Sequence, residues 1–450
     1  MANVIINDTN LTNIAQAIRS KNGTSTTYKV SEMASAITNL PTGGGGSVES
    51  VVLDGDLQYL NFEGRLDELI QKNPTLFSTV NVTNIQYGFE GSALTRIPFS
   101  INFNGTQVAN GLANTFSNMS NLEEMPEIHG GTYGGFSEAF AYTPKLKVIE
   151  FADDLVINSN RNYTMGRMFQ YSGVEEIRGK MPPMAEGRTS NGMNNNGSMF
   201  SSCYYLKRIP YDFLTTVPAP SSITSTSSGG SMFSSCYSLR GTAPDIRQFT
   251  CNTNHKQIYY RLFDGCFVLD RIINLGVAGA TLTSNIFTSA FNNCYRLEQL
   301  TFERNDDGTP KTANWSNQTI DLTNYVGYSP NTGNILNYNS GITADKEVTD
   351  GGWNGSNGTY DAYNALKDDP DWFTCDQNFS RYNLDSAIET INSLPNTSAY
   401  GTNTIKFNQH SGKHTSAEAT GADSHNGGIG ELTSEQIAVA TAKGWTVTLV

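Results

Sequence analysis

The chain runs to 450 residues, carries 29 Lys and Arg against 42 Asp and Glu for a net charge of −13, and is 38% hydrophobic and 16% charged. That length exceeds one compact core and corresponds to about three domain equivalents, while the acidity, unrelieved by any Lys/Arg stripe, excludes a nucleic-acid-binding class. The 21 Tyr and 22 Phe, spread through a background of Asn, Ser, Thr and Gly, exclude a disordered polyelectrolyte and point to a folded, loop-rich, β-leaning chain with a neutral polar exterior.

The opening, MANVIINDTNLTNIAQAIRSK, has no basic segment leading into an apolar run, so no signal peptide is expected. No apolar stretch approaches the length of a bilayer span. Residues 10–23 and 30–40 are expected to form two short helices joined by a turn, N-capped by Asn10 and Ser31, with Gly23 closing the first. Their apolar faces, Ile14 and Ile18 on one and Met33 and Ile37 on the other, are too small to hold alone and need a partner. PTGGGGS (41–47) is a flexible linker. The letters IAQAIRSKNG (14–23) and MASAI (33–37) resemble an N-terminal module common in phage virion proteins. That resemblance implies that residues 1–40 dock on other virion proteins through Ile14, Ile18, Met33 and Ile37. Residues 48–84 hold one strand (VESVVLDG) and one helix (GRLDELIQKN, stopped before Pro74) and are expected to form an N-terminal cap on the body of the chain.

A repeat then begins. Phe89, Phe116, Phe140, Phe169, Phe200, Phe233, Phe263 and Phe291 are spaced by 27, 24, 29, 31, 33, 30 and 28 residues. Each is followed five or six residues on by Leu or Val, and three further on by Ile, Leu or Met, with Thr242 the exception. In the later copies the pattern is F-x-x-C-x-x-L-x-x-I, seen twice as GSMFSSCY at 197–204 and 230–237. Spacing of i, i+3, i+6 places three side chains on one side of a tight helical turn. The segment after it, such as KVIEF (147–151), alternates like a short strand with Ile149 and Phe151 inward and Glu150 outward. One unit cannot bury its own apolar face, but stacked units can.

The pattern resembles the BspA-type leucine-rich repeat of bacterial surface proteins and of proteins encoded by their phages. It covers about residues 85–303, and a degenerate copy resumes near 379–407. The resemblance implies an α+β solenoid, a leucine-rich-repeat stack of short strands and helical turns behind a small N-terminal helical hairpin. It implies a binding or structural role and no active site. Of the six cysteines (203, 236, 251, 266, 294, 375), four hold one slot in consecutive copies, and no C-x-x-C pair is present. Free buried thiols are therefore expected.

Residues 304–378, rich in Asn, Gly, Asp, Tyr and Trp, depart from the pattern and are expected to form an irregular insertion or a small β-rich lobe. In the last segment, 379–450, NLDSAIETINSLP (383–395) is an amphipathic helix. After it, Thr433 or Ser434 caps a second helix ended by Gly444, and WTVTLV forms a final strand. LTSEQIAVATAKGWTVTLV resembles the closing segment of many phage proteins with these repeats, and the two helices and the strand are expected to cap the stack.

The chain contains no metalloprotease helix, nucleophile elbow, phosphate loop or EF-hand pattern, so no enzyme, cofactor or metal is expected. His410, His414 and His425 sit in one polar loop without a ligand spacing. The pairs Asp306–Asp307 and Asp368–Asp369 suit turns and caps better than calcium. Two sets of residues are the candidates for ligand contact. Tyr204, Tyr237, Phe267 and Tyr295 follow the ladder cysteines and would stack as a row. Trp315, Tyr325, Trp353 and Tyr360 lie among Asn, Ser and Gly, the composition of an adaptable binding surface. The expected function is a bacteriophage virion fibre, on tail or head, assembled in the host cytoplasm, with the solenoid presented to a host-surface protein or glycan. A decoration protein without receptor role, and a bacterial surface adhesin, are the alternatives.

Overall fold

In a computed structural model, the described residues are 15, 16, 19, 51–75, 77–104, 111–132, 135–157, 165–183, 197–216, 230–247, 259–277, 281–323, 382–409 and 429–450. The N-terminal module and linker (1–47), apart from three of its residues, lie outside them.

The chain forms an α+β fold of short parallel strands with three α-helices among the described residues. Strands β1 (Val51–Asp56), β2 (Phe77–Asn84), β3 (Ser100–Asn104), β4 (Ile128–Thr132) and β6 (Val156–Ile157) form one parallel sheet in that order. Strand β5 (Val148–Glu150) pairs with β7 (Glu176–Arg178), and β8 (Gly241–Thr242), β9 (Leu269–Leu275) and β10 (Gln299–Phe302) form a third sheet. The last sheet joins β11 (Thr319–Leu322), β12 (Asn403–Phe407) and β13 (Trp445–Leu449). Helix α1 (Arg65–Lys72) follows β1, while α2 (Leu384–Ser393) and α3 (Ser434–Ala442) precede β12 and β13. In β5, Ile149 is buried and Glu150 exposed, and Phe151 beyond it turns inward, as the alternation requires.

The Phe motif builds the other side of the stack, by a means its spacing does not announce. It makes no helical turn but a run of β-turns: Gly88 N–H to Ile85 C=O, Glu90 to Tyr87 and Ser92 to Phe89 in the first copy. In all eight copies the residues two before and two after the Phe take left-handed backbone, with φ between 51° and 81°. These residues break the helix. They also turn alternate N–H groups outward, toward the next copy. From the Phe89 copy to the Phe291 copy, every junction carries three such bonds. At the Phe200 copy they run from Ser198, Phe200 and Ser202 to the carbonyls of Gly230, Met232 and Ser234, at 3.1, 2.9 and 2.8 Å. Asn61, flanked by left-handed Tyr59 and Glu63, repeats the geometry ahead of Phe89, so the stack begins inside the expected N-terminal cap.

The motif side chains form one continuous core. The Phe residues are 0–1% exposed, and those from Phe89 to Phe263 stack ring on ring at 5.2–5.8 Å, tilted by 12° or less. Such pairs add about 0.5–1.5 kcal/mol each beyond area burial. Cys203, Cys236, Cys266 and Cys294 are free and fully buried. Each thiol donates to the carbonyl of the preceding copy's Phe, at 2.9–3.2 Å. Burial raises all four thiols, Cys203 to about 12. In the Phe169 copy the turn is one residue shorter, and Gly173 lies so close to Pro144 that a Cβ would fall 1.8 Å from its carbonyl oxygen.

Two expectations for the C-terminal half need correction. The stretch 304–323 is no coreless insertion: Trp315, Ile320 and Leu322 are buried in the common core, and β11 pairs in register with β12. Gln318, 1% exposed, accepts from Ile286 N–H and gives its amide to the Ser284 and Ser316 carbonyls, while its own backbone N–H donates to Asn403 Oδ1 at 2.8 Å. The two final helices, rather than only closing an end, each lead into a further strand of the sheet, β12 and β13. Both start with reciprocal caps, Asn383 with Ser386 and Thr433 with Gln436. Helix α2 does cover the backbone of β10, through hydroxyls at i, i+4 and i+7. Ser386 donates to Glu298 C=O at 2.6 Å, Thr390 to Leu300 C=O at 2.7 Å, and Ser393 accepts from Phe302 N–H at 3.1 Å.

Candidate ligand-binding face

Of the expected ligand residues, the structure brings Tyr204, Tyr237, Phe267 and Tyr295 together. They form a second, smaller apolar cluster with Val268, outside the main core. Ring centroids are 5.1 Å apart for Tyr204–Tyr237, 4.8 Å for Tyr237–Phe267 and 5.1 Å for Phe267–Tyr295. Two further rings, which the pattern did not reveal, extend the row: Tyr142 stacks on Tyr171 at 5.3 Å, and Tyr171 meets Tyr204 edge-on at 6.3 Å. They were hidden because they sit two residues after the Phe and not four, where Pro144 and Gly173 stand instead.

The geometry limits what the row can hold. Tyr204 and Tyr237 lie within 8° of parallel, so their faces cover each other and what a ligand meets is mainly ring edges and hydroxyls. Tyr237 is only 8% exposed, while Tyr204, Phe267 and Tyr295 are half-buried. Burial, the first cause, raises the Tyr142 hydroxyl.

Charged side chains border the row at the seventh position after the Phe or its equivalent. Glu175 sits between Lys147 (3.0 Å) and Lys207 (2.8 Å) of the adjacent copies. Although burial works against it, the two lysines together hold its carboxyl below the usual range. The Lys147 ammonium lies 5.2 Å from the centre of the Tyr205 ring. Further along, the Arg296 guanidinium is 3.3 Å from Asp270, and its backbone N–H donates to Phe267 C=O.

Trp315 is placed otherwise than expected. It is fully buried against Phe287, with its indole N–H meeting no acceptor among the described residues, so it cannot face a ligand. Its polar neighbours in the sequence belong to the bridge and turn that hold it inward. Tyr325, Trp353, Tyr360, Ile14, Ile18, Met33, Ile37, the three loop histidines and the 368–371 aspartates lie outside the described residues. Asp307 works as a turn residue, accepting from the Thr309 N–H and hydroxyl, which lower its carboxyl.

A polar cluster that sequence reasoning missed lies on the first sheet. His129 on β4 contacts Glu127 at 3.1 Å through Nε2 and Asp154 of the next copy at 2.7 Å through Nδ1, while Ser100 donates to the other oxygen of Glu127. The bond to Asp154, then that to Glu127, raises the imidazole, and the Ser100 bond, then His129, lowers Glu127. No described helix is long and apolar enough to cross a membrane. Compared with protein-family models, curated proteins and solved structures, the chain matches none.

Proposed function

We propose that the chain is a leucine-rich-repeat solenoid of the BspA type and a structural protein of a bacteriophage virion, a fibre held by its N-terminal module with its flank turned to the host surface. The observation that carries the reading is the regularity of that flank. One hydrogen-bonded turn recurs in eight copies and sets an aromatic row beside paired charges on a rigid backing. Such extended surfaces are the usual binding faces of stacked repeats. The N-terminal letters and the Gly-rich linker add the docking half of the reading. A decoration protein without receptor role is the second reading, and it is favoured by the way the rings cover one another's faces.

The test uses purified particles and host cells. The chain should be found by mass spectrometry in the particles, be lost from particles when residues 1–47 are deleted, and as a labelled full chain bind host cells. Its absence from particles would sink the virion assignment. Presence in particles without cell binding would leave the decorative reading in its place.

A further inference from the structure

The aromatic row runs through six of the eight copies, from Tyr142 to Tyr295, with charged side chains beside it, and nothing singles out one copy as a pocket for a single small ligand. Resting on the host-recognition reading, we propose that this flank, from Tyr142 to Arg296, binds an acidic, carboxylate-bearing polysaccharide laid along the stack. Three observations carry this. The ring-to-ring advance of 4.8–6.3 Å per copy is close to the advance of one sugar in an extended glycan, so a polymer meets an equivalent site at each unit. Because most ring faces are taken by neighbouring rings, a sugar finds hydroxyls and edges, and stacking alone offers little to a neutral glycan.

The third observation is charge. Residues 140–272 contain 14 Lys and Arg against 10 Asp and Glu, a balance of +4, which leaves −17 on the rest of the chain. A polyanion is repelled by the acidic ends and drawn to the middle copies, which sets where along the stack it lies. Lys147 and Lys207 are half-exposed, at 49% and 44%, and each ammonium has three donors of which Glu175 takes one. The remaining donors suit carboxylates on alternate sugars, two copies apart, with Glu175 at the copy between. Weak contacts repeated along one chain then combine into useful affinity.

The experiment measures the full-length protein on immobilised polygalacturonate, with dextran and polyphosphate as comparison surfaces, at low and physiological salt. Expected are binding to polygalacturonate that exceeds binding to both others and falls with salt. The double variant Lys147→Gln, Lys207→Gln should weaken it by on the order of tenfold per lysine, the size of a charge-assisted hydrogen bond. Tyr204→Leu should weaken it too, whereas Lys72→Gln, on α1, should leave it unchanged, and hydrogen exchange of the Phe copies checks that each variant is folded. No binding, equal binding to dextran, equal or tighter binding to polyphosphate, or full affinity in the folded double variant would each overturn the proposal. Host-cell binding measured in parallel separates the two readings. Cells bound without competition by polygalacturonate refute the ligand class alone, and polygalacturonate bound without cells refutes host recognition alone.

Discussion

Replacing Thr390 by Val tests how the helical end of the molecule is joined to the Phe copies. Thr390 is fully buried on α2, and its hydroxyl oxygen lies 2.7 Å from the Leu300 carbonyl oxygen of β10 and 2.9 Å from that of Ser386. The same oxygen meets the hydroxyl of Tyr382, itself 1% exposed and pushed by burial well above the ordinary tyrosine range. Valine keeps the shape and the β-branch but removes all three contacts. Removing the hydrogen bonds of a buried hydroxyl, with the Leu300 carbonyl losing a donor, costs about 1–3 kcal/mol. A chain this long does not unfold in one step, so the readout is hydrogen exchange of α2 and β10. At about 1.4 kcal/mol per decade, their protection should fall roughly five- to a hundredfold. Thr390→Ser keeps the hydroxyl and should retain most of the protection. Protection unchanged in Thr390→Val, or lost as far in Thr390→Ser, would refute the reasoning.

Three other outcomes are expected. Gly173→Ala drives a methyl into the Pro144 carbonyl, so hydrogen exchange of the Phe140 and Phe169 copies should show a loss of several kcal/mol, on the order of the larger single-site effects, or no folded protein; wild-type protection would show that the close approach is absent. In a chain with Cys251 and Cys375 changed to Ser, the four ladder thiols should ignore a thiol reagent at mildly alkaline pH until the protein unfolds, because burial keeps them protonated. Rapid labelling of folded protein would contradict that. For the cluster around His129, the raised imidazole stabilises the fold below its unfolded value near 6.5 and loses that effect as pH rises through its folded value. Glu127, lowered, contributes above its unfolded value near 4.5 and fails as pH falls through its folded one. The cluster therefore works best between about pH 4.5 and 6.5, and His129→Gln should lower the melting temperature more at pH 5.5 than at pH 8. An equal shift at both would show that the imidazole charge plays no part.

The spine was legible because apolar letters recurred at fixed offsets: Phe200, Cys203, Leu206 and Ile209 are all buried as the pattern requires. The local conformation was not, since the left-handed positions carry Tyr87, Asn114, Glu138, Arg167 and Ser198, which share no chemical type. Their backbone is dictated by the copy above and below, a tertiary constraint that no local propensity records. Trp315 misled because composition was read as exposure, whereas its parallel bridge to Leu282 holds it inward. Ser386, Thr390 and Ser393 looked like the polar side of α2 and prove to face a strand backbone in need of partners. Lys147, Glu175 and Lys207 are separated by about thirty residues each, so their pairing appears only once the copies are stacked.

The three bonds at each turn junction have a consequence for the electric field. All of them point the same way, with N–H groups aimed toward the C-terminal copies and carbonyls toward the N-terminal ones. Along a strand of the parallel sheets the peptide dipoles alternate and largely cancel. Along the column of turns they add, as they do in an α-helix. The column thus behaves as a long macrodipole lying across the chain direction, and its sign relative to the sequence is opposite to a helix: the positive end lies at the Phe291 copy and the negative end beside Asn61.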